Sequence, residues 1–493
     1  MKVSTVPRLL VCSFPLLLSA CSVTASNSAT ATTSTTATST AIANLQPFAD
    51  STGTVSTYTS AGSIDTAGVF FQTLGTNGRT CATCHQPAQG MSLNAATVAA
   101  LFASSNGTDP LFTAVDGANC PTVATGNAAG HSLIVNNGLV RIAVTVPAGA
   151  QFTLSVVQDP YGCALTTNAA GGQVVSVYRR PLPTASLPFL SSVMWDTRQT
   201  SAALATASTL AANLNADLTA QALDAVATHM QGSTIPTTAQ LSALLAFEQG
   251  LFTAQNTDSA AGSLLANGAT GGAANLAAVN YYPGINDAFG GDPKGAAFTP
   301  NVFSIFQAWT NSTNAAQASI ANGERLFNTA PLTISNFRGI NDNTALGSPN
   351  ALQASCSTCH DAPSLGHHSV ALPLDTAVSR LAQFETSPDI LGGVAQLSAP
   401  SLPVYLISGC TGTNGKPVLY YTSDPGKALT TGLCADVNRM KVPGLRGLAA
   451  RAPYFHNGSA ANLTQVVNFY NARFQMKLNP QQVTDLVNFL NAL

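Results

Sequence analysis

The pattern Cys-x-x-Cys-His occurs twice, as Cys81-Ala82-Thr83-Cys84-His85 and as Cys356-Ser357-Thr358-Cys359-His360. Covalent attachment of haem c needs this arrangement: two thiols to form thioethers with the vinyl groups, and an imidazole directly after the second to reach the iron from the proximal side. About one and a half turns of helix supply all three. A single copy could arise by chance, or be a thiol or zinc motif that ends in histidine. Two copies, each preceded by glycine and apolar bulk (Gly68, Phe70, Phe71; Gly323, Leu326, Phe327), imply two related haem-binding units. The expected fold class is therefore mainly α: two cytochrome c-like haem domains, the first with a small β insertion.

The chain has 493 residues, far more than one small electron carrier needs. Only 8% are charged and the formal net charge is -2, so the surface must be covered largely by Ser, Thr, Asn, Gln and Ala. With no long basic run there is nothing to hold a nucleic-acid backbone, and nucleic acid is excluded as a partner.

Residues 1–21 read as an export segment: Lys2 and Arg8, then a short apolar stretch from Leu9 to Leu18, then Ser19, Ala20 and Cys21. The apolar stretch is too short to span a bilayer. Leu18-Ser19-Ala20-Cys21 also resembles the bacterial lipoprotein box, which makes Cys21 a lipid anchor and the following Ser/Thr/Ala-rich residues 22–45 a tether. Ser22 stands where an inner-membrane retention Asp would be. The expectation is an outer-membrane lipoprotein facing the periplasm or the cell surface, touching the membrane only through that anchor. Export to an oxidising compartment makes Cys120–Cys163 and Cys410–Cys434 the expected disulfides, the one pairing that does not cross between distant parts of the chain.

Residues 46–250 are assigned to the N-terminal haem domain, 251–315 to a Gly/Ala/Asn-rich crossover and 316–493 to the C-terminal haem domain. Within the first, Leu133-Ile134-Val135, Val140 to Val144 and Phe152 to Val156 read as strands of an insertion near 130–157. Residues 217–230 and 237–251 carry helical periodicity, with Leu218, Ala222, Ala225 and His229 on one face of the former. Near the end, Leu463, Val466, Val467, Tyr470 and Phe474 form an apolar stripe. Asn479, Pro480 and Gln482 then open a final helix that should pack across the opening helix of its domain.

Val442-Pro443-Gly444-Leu445-Arg446-Gly447, Arg451-Ala452-Pro453-Tyr454-Phe455-His456-Asn457-Gly458 and the segment from Leu463 to Asn471 resemble the C-terminal signature of the bacterial di-haem cytochrome c peroxidase and MauG-like family. Met194-Trp195-Asp196-Thr197-Arg198 and Gln221-Ala222 are similar to its N-terminal half. The resemblance runs from about Gly68 to Leu493 with insertions. It implies two covalently bound haem c groups held by Cys81, Cys84, His85, Cys356, Cys359 and His360, and leaves room for one calcium ion.

By the same resemblance, the N-terminal haem meets hydrogen peroxide or another small oxidant and the C-terminal haem takes in or stores electrons, with Trp195 between them. Tyr470 takes the place of the second sixth ligand, with Met476 and Met440 as rivals. No histidine lies between His85 and His131, so the first iron is expected to be open. The family's distal Glu has no counterpart at the end of the matching helix. His229 is the candidate proton carrier there, with Gln231 to orient the ligand; a core histidine bonded to a carbonyl is the plainer reading. Glu248 is a lesser rival, read as a solvated helix residue. Arg446 is proposed to hold a propionate of the second haem, and Arg179 and Arg180 those of the first. His131, His367 and His368 carry no motif support, and His456 is read as ordering the second pocket.

The activity implied is that of a peroxidase-like or MauG-like oxidoreductase served by a soluble electron-donor protein or acting on an oxidisable partner protein. Alternatives are a di-haem electron-transfer lipoprotein, or a haem oxygenase resembling polyisoprene-cleaving enzymes.

Overall fold

The computed structural model describes residues 41–201, 206, 208–381, 400–412 and 415–493. The export segment, Cys21 and most of the tether lie outside the described residues.

Each Cys-x-x-Cys-His begins with one helical turn because a hydroxyl residue stands directly before it and a threonine three residues on. Thr80 precedes Cys81–Cys84 and Ser355 precedes Cys356–Cys359; their backbone N–H groups donate to Thr83 Oγ1 at 3.0 Å and Thr358 Oγ1 at 3.1 Å. The two turns are near copies.

Their surroundings are not. In the second half the helix Ala315–Thr329 is crossed by the closing helix Pro480–Asn491, which Asn479 and Gln482 cap as expected. Gly323 permits the crossing, since a Cβ there would sit 2.0 Å from the Asp485 carbonyl oxygen. Ile320, Leu326, Phe327, Leu486, Phe489 and the fully buried Trp309 form the core beneath. In the first half only one 3-10 turn, Val69–Phe71, stands at the corresponding place. Phe70 packs on Phe247 at 4.6 Å between ring centres, and Leu210–Thr228 and Thr238–Gln249 supply the helical wall.

The fold is helix-rich with several β-sheets, and the sheets exceed the expected insertion. Val140–Thr145 pairs with Gln173–Arg179, but Thr153–Gln158 pairs with Val404–Thr411, so one sheet joins distant parts of the chain. Phe152, Leu154, Val175, Val177, Tyr405 and Ile407 share one core between these sheets. Gly53–Thr59 pairs with Leu251–Asp258, which places the start of the expected crossover in a sheet with the first residues of the body.

Leu133-Ile134-Val135 is not a strand. Ser132–Asn137 is helical, with Gly138 its left-handed C-cap at φ 58°. A run of three apolar residues carries no usable period. Both expected disulfides are present, with Cα separations of 6.0 Å for Cys120–Cys163 and 5.5 Å for Cys410–Cys434. No helix among the described residues is long and apolar enough to cross a membrane.

Candidate functional site

Each Cys-x-x-Cys-His turn forms part of the wall of an internal cavity. The first, of 230 Å³, is bounded by Cys81, Cys84 and His85; the second, of 210 Å³, by Cys356, Cys359 and His360. None of these four cysteines is in a disulfide, although two other pairs are. Burial pushes their thiols up, to about 11 for Cys84 and about 12 for the other three, so they stay protonated.

His85 Nδ1 lies 3.2 Å from the Met91 carbonyl oxygen, and His360 Nδ1 makes the same contact with Gly366, again six residues on. A carbonyl only accepts, so Nδ1 carries the proton in both rings and Nε2 keeps its lone pair. Burial lowers both imidazoles to about 4, which keeps them neutral. A neutral imidazole oriented by a hydrogen bond from its far nitrogen is the usual form of a metal-ligating histidine. Free thiols and a lone pair at one cavity wall fit a covalently held haem.

The helix Leu210–Thr228 turns Leu218, Gln221, Ala222, Ala225 and Val226 to the first cavity, with His229 just past its end. His229 Nδ1 is held by the carboxylate of buried Asp116, whose other oxygen is held by Arg79. This is not the plain core histidine bonded to a carbonyl. Gln231, by contrast, is exposed, accepts from Asn77 Nδ2 at 3.3 Å and lines neither cavity. It cannot orient a ligand there, because the helix has already ended and the chain turns outward at a positive φ of 52°.

Glu248 is the larger surprise. Only 7% exposed, it lines the first cavity; Oε1 accepts from Thr184 Oγ1 at 3.1 Å and Oε2 has no partner among the described residues. Burial pushes its carboxyl up to about 7. The signal was present in the sequence: Leu241, Leu244 and Glu248 fall on one helical face. His367 Nε2 and Arg446 Nε are likewise buried without partners, and both residues border this same cavity.

Arg446 is therefore placed at the first cavity and not at the second. Arg179 is not free for a propionate: its Nε and NH2 donate to Asp424 at 2.6 and 2.9 Å, and its NH1 to Asp196 at 2.5 Å. Burial opposes its charge, but those two carboxylates outweigh it and raise it further. Arg180 is also committed, donating to the carbonyls of Asn137, Gly138 and Arg451 at 3.0 to 3.1 Å and also to that of Leu93. Both arginines tie chain segments together.

Trp195 lines both cavities. Its Nε1–H donates to the Arg180 carbonyl at 2.8 Å and its ring meets His456 edge-on at 6.0 Å. Lys441, beside it in both walls, is lowered by burial to about 7 and donates to Ser192 O at 2.6 Å.

Tyr470, Met440 and Met476 all line the second cavity, so the three rival ligands face one space. Tyr470 stacks on Phe474 at 5.8 Å, and burial pushes its hydroxyl up. His456 Nε2, in the wall of the second cavity, is 3.0 Å from Ser379 Oγ. His131 is a core histidine, its two ring nitrogens against the carbonyls of Asn127 and Phe112 at 2.7 and 2.9 Å.

A 78-residue stretch, 15% of this chain, is 41% identical to part of the cytochrome c551 peroxidase of Nitrosomonas europaea and spans 23% of that protein. The chain is thus a distant homologue of a cytochrome c peroxidase. A solved MauG-like protein associated with microbial copper homeostasis is similar over 67% of this chain and 77% of its own, at 16% identity and a TM-score of 0.30. No protein-family model matches.

Proposed function

We propose that this chain is a di-haem c oxidoreductase, peroxidase-like or MauG-like, that activates peroxide or a similar oxidant at the first cavity and draws electrons through the second. The observation that carries the reading is the pair of cavities, each with two free thiols and a neutral histidine held at Nδ1, meeting at Trp195. Haem bound by Cys81, Cys84 and His85, and by Cys356, Cys359 and His360, supplies the one-electron chemistry.

The residues around the first cavity handle protons. Asp116 fixes His229 by one ring nitrogen, leaving the other to take a proton from the oxidant and return it to the departing oxygen. Glu248, with one oxygen held by Thr184 and one free, sits near its titration point at neutral pH and serves the same exchange. Lys441 and Arg446 offer donors for carboxylates of the bound group, while His367, whose Nδ1–H faces the His368 carbonyl oxygen, keeps a lone pair on Nε2. Trp195 is the conduit between the centres, fixed by its bond to Arg180 O. In the second cavity Tyr470 is the proposed sixth ligand. The Leu18 to Cys21 box supports an outer-membrane lipid anchor, and a soluble redox protein is the proposed partner.

Purified protein should carry two covalent haems and bind cyanide at one iron only. Failure of either iron to bind cyanide would overturn the oxidant-activating role and leave electron transfer.

A further inference from the structure

Outside both cavities, Asp287, Asp361 and His368 come together with one potential ligand atom each, all within 4.8 Å of one another. The three side chains are at most 3% exposed. Two buried carboxylates demand compensation, and among the described residues no lysine or arginine forms an ion pair with either.

Backbone N–H groups hold the carboxylates in place. Asp361 accepts from Ser369 N at 2.6 Å and Ala288 N at 3.3 Å, and Asp287 Oδ2 accepts from Gly291 N at 2.5 Å and Phe289 N at 3.2 Å. Asp287 Oδ1, 3.9 Å from His368 Nδ1, accepts no hydrogen bond among the described residues.

The simplest alternative is a protonated His368 clasped by the two acids. His368 Nδ1 does approach Asp361 Oδ2 to 2.7 Å, yet without the alignment of a hydrogen bond, and Nε2 also has no partner among the described residues. An imidazolium would leave both of its N–H groups buried and unpaired, which is costly. Close approach without hydrogen-bond alignment is instead the relation between two atoms that point at a shared third centre.

We propose that Asp287, Asp361 and His368 bind a divalent first-row transition metal, of the zinc, manganese or iron(II) class. The mixed nitrogen and oxygen donor set separates this site from a calcium site, which takes oxygen ligands. Asp361 directly follows His360, and Asp287 belongs to the segment expected to cross between the halves. A metal here pins that segment beside the second Cys-x-x-Cys-His turn. The site does not depend on the redox reading above, since it is counted as non-haem metal.

The test uses the full haem-loaded chain, stripped with a chelator and dialysed separately against Zn²⁺, Mn²⁺ and Ca²⁺, with metal counted by mass spectrometry and unfolding followed by heat. One equivalent of Zn²⁺ or Mn²⁺ beyond the haem iron, with a raised Tm, is expected. Asp287→Asn, which keeps side-chain size, and His368→Gln should each weaken uptake by more than roughly 10-fold at unchanged haem content. Uptake of Ca²⁺ alone, no uptake at all, or full uptake by Asp287→Asn overturns the proposal. If His368→Gln fails to fold, the wild-type count and Asp287→Asn still decide it.

Discussion

The two cavities begin from near-identical turns and end in different chemistry. Around Cys81–Cys84 the wall includes Glu248, His229 backed by Asp116, His367 and Arg446. Around Cys356–Cys359 it gathers Phe327, Phe337, Val466, Val467, Phe474, Tyr470 and two methionines, with His456 and Arg451 among them. The repeated motif sets what the two cavities share, and the rest of the chain sets how their walls differ. On the proposed function, Glu248 suits bond cleavage at the first centre, and the aromatic and thioether side chains suit electron storage at the second.

The strongest way to break that comparison is to empty one pocket. Cys356→Ser with Cys359→Ser should halve covalent haem while cyanide still binds the remaining centre; loss of all haem would show that the two sites mature as one. Next comes Glu248→Gln, expected to lower peroxide-dependent turnover by roughly 10²–10⁴-fold with both haems retained. The same variant carries a stability signature. Burial raises this acid from 4.5 to about 7 in the folded chain, so folding favours its protonated form. Its contribution is therefore present below about pH 4.5 and lost as pH rises through about 7. The urea midpoint of Glu248→Gln should gain on wild type across that window and level off above it; a constant difference would mean Glu248 is not buried as an acid.

Asp116→Asn leaves His229 in place but weakens its anchor, and a loss of about 10–100-fold in turnover is expected, the usual scale for an orienting partner. Tyr470→Phe should be mildest, with haem content, turnover at the first centre and Tm all near wild type. Only the resting absorption and spin state should change, and an unchanged spectrum would pass the ligand role to Met440 or Met476.

What could be read from the sequence was local. The capping box of Asn479 and Gln482, both disulfides and the helical face of Leu218, Ala222, Ala225 and His229 rest on neighbours within a few turns or one loop. Asp116 escaped notice because it sits in an irregular loop with no period to mark it, far from His229 in sequence. The sheet between Thr153–Gln158 and Val404–Thr411 escaped for the same reason, since its strands find each other only through the common core around Tyr405. Glu248 was misjudged for another reason. A charged residue on a helix is usually solvated, and that habit outweighed the spacing that put it beside Leu244.

The far wall of the first cavity is made of Leu365, His367, Lys441, Gly444 and Arg446, all from the last third of the chain. Synthesis runs the other way. The thiols of Cys81 and Cys84 are made before those residues, so the anchors of the first cavity precede this side of its wall in the chain. A chain cut short before Leu365 would keep its anchors but leave the vessel without its last side, wet and unable to hold a proton balance apart from bulk water.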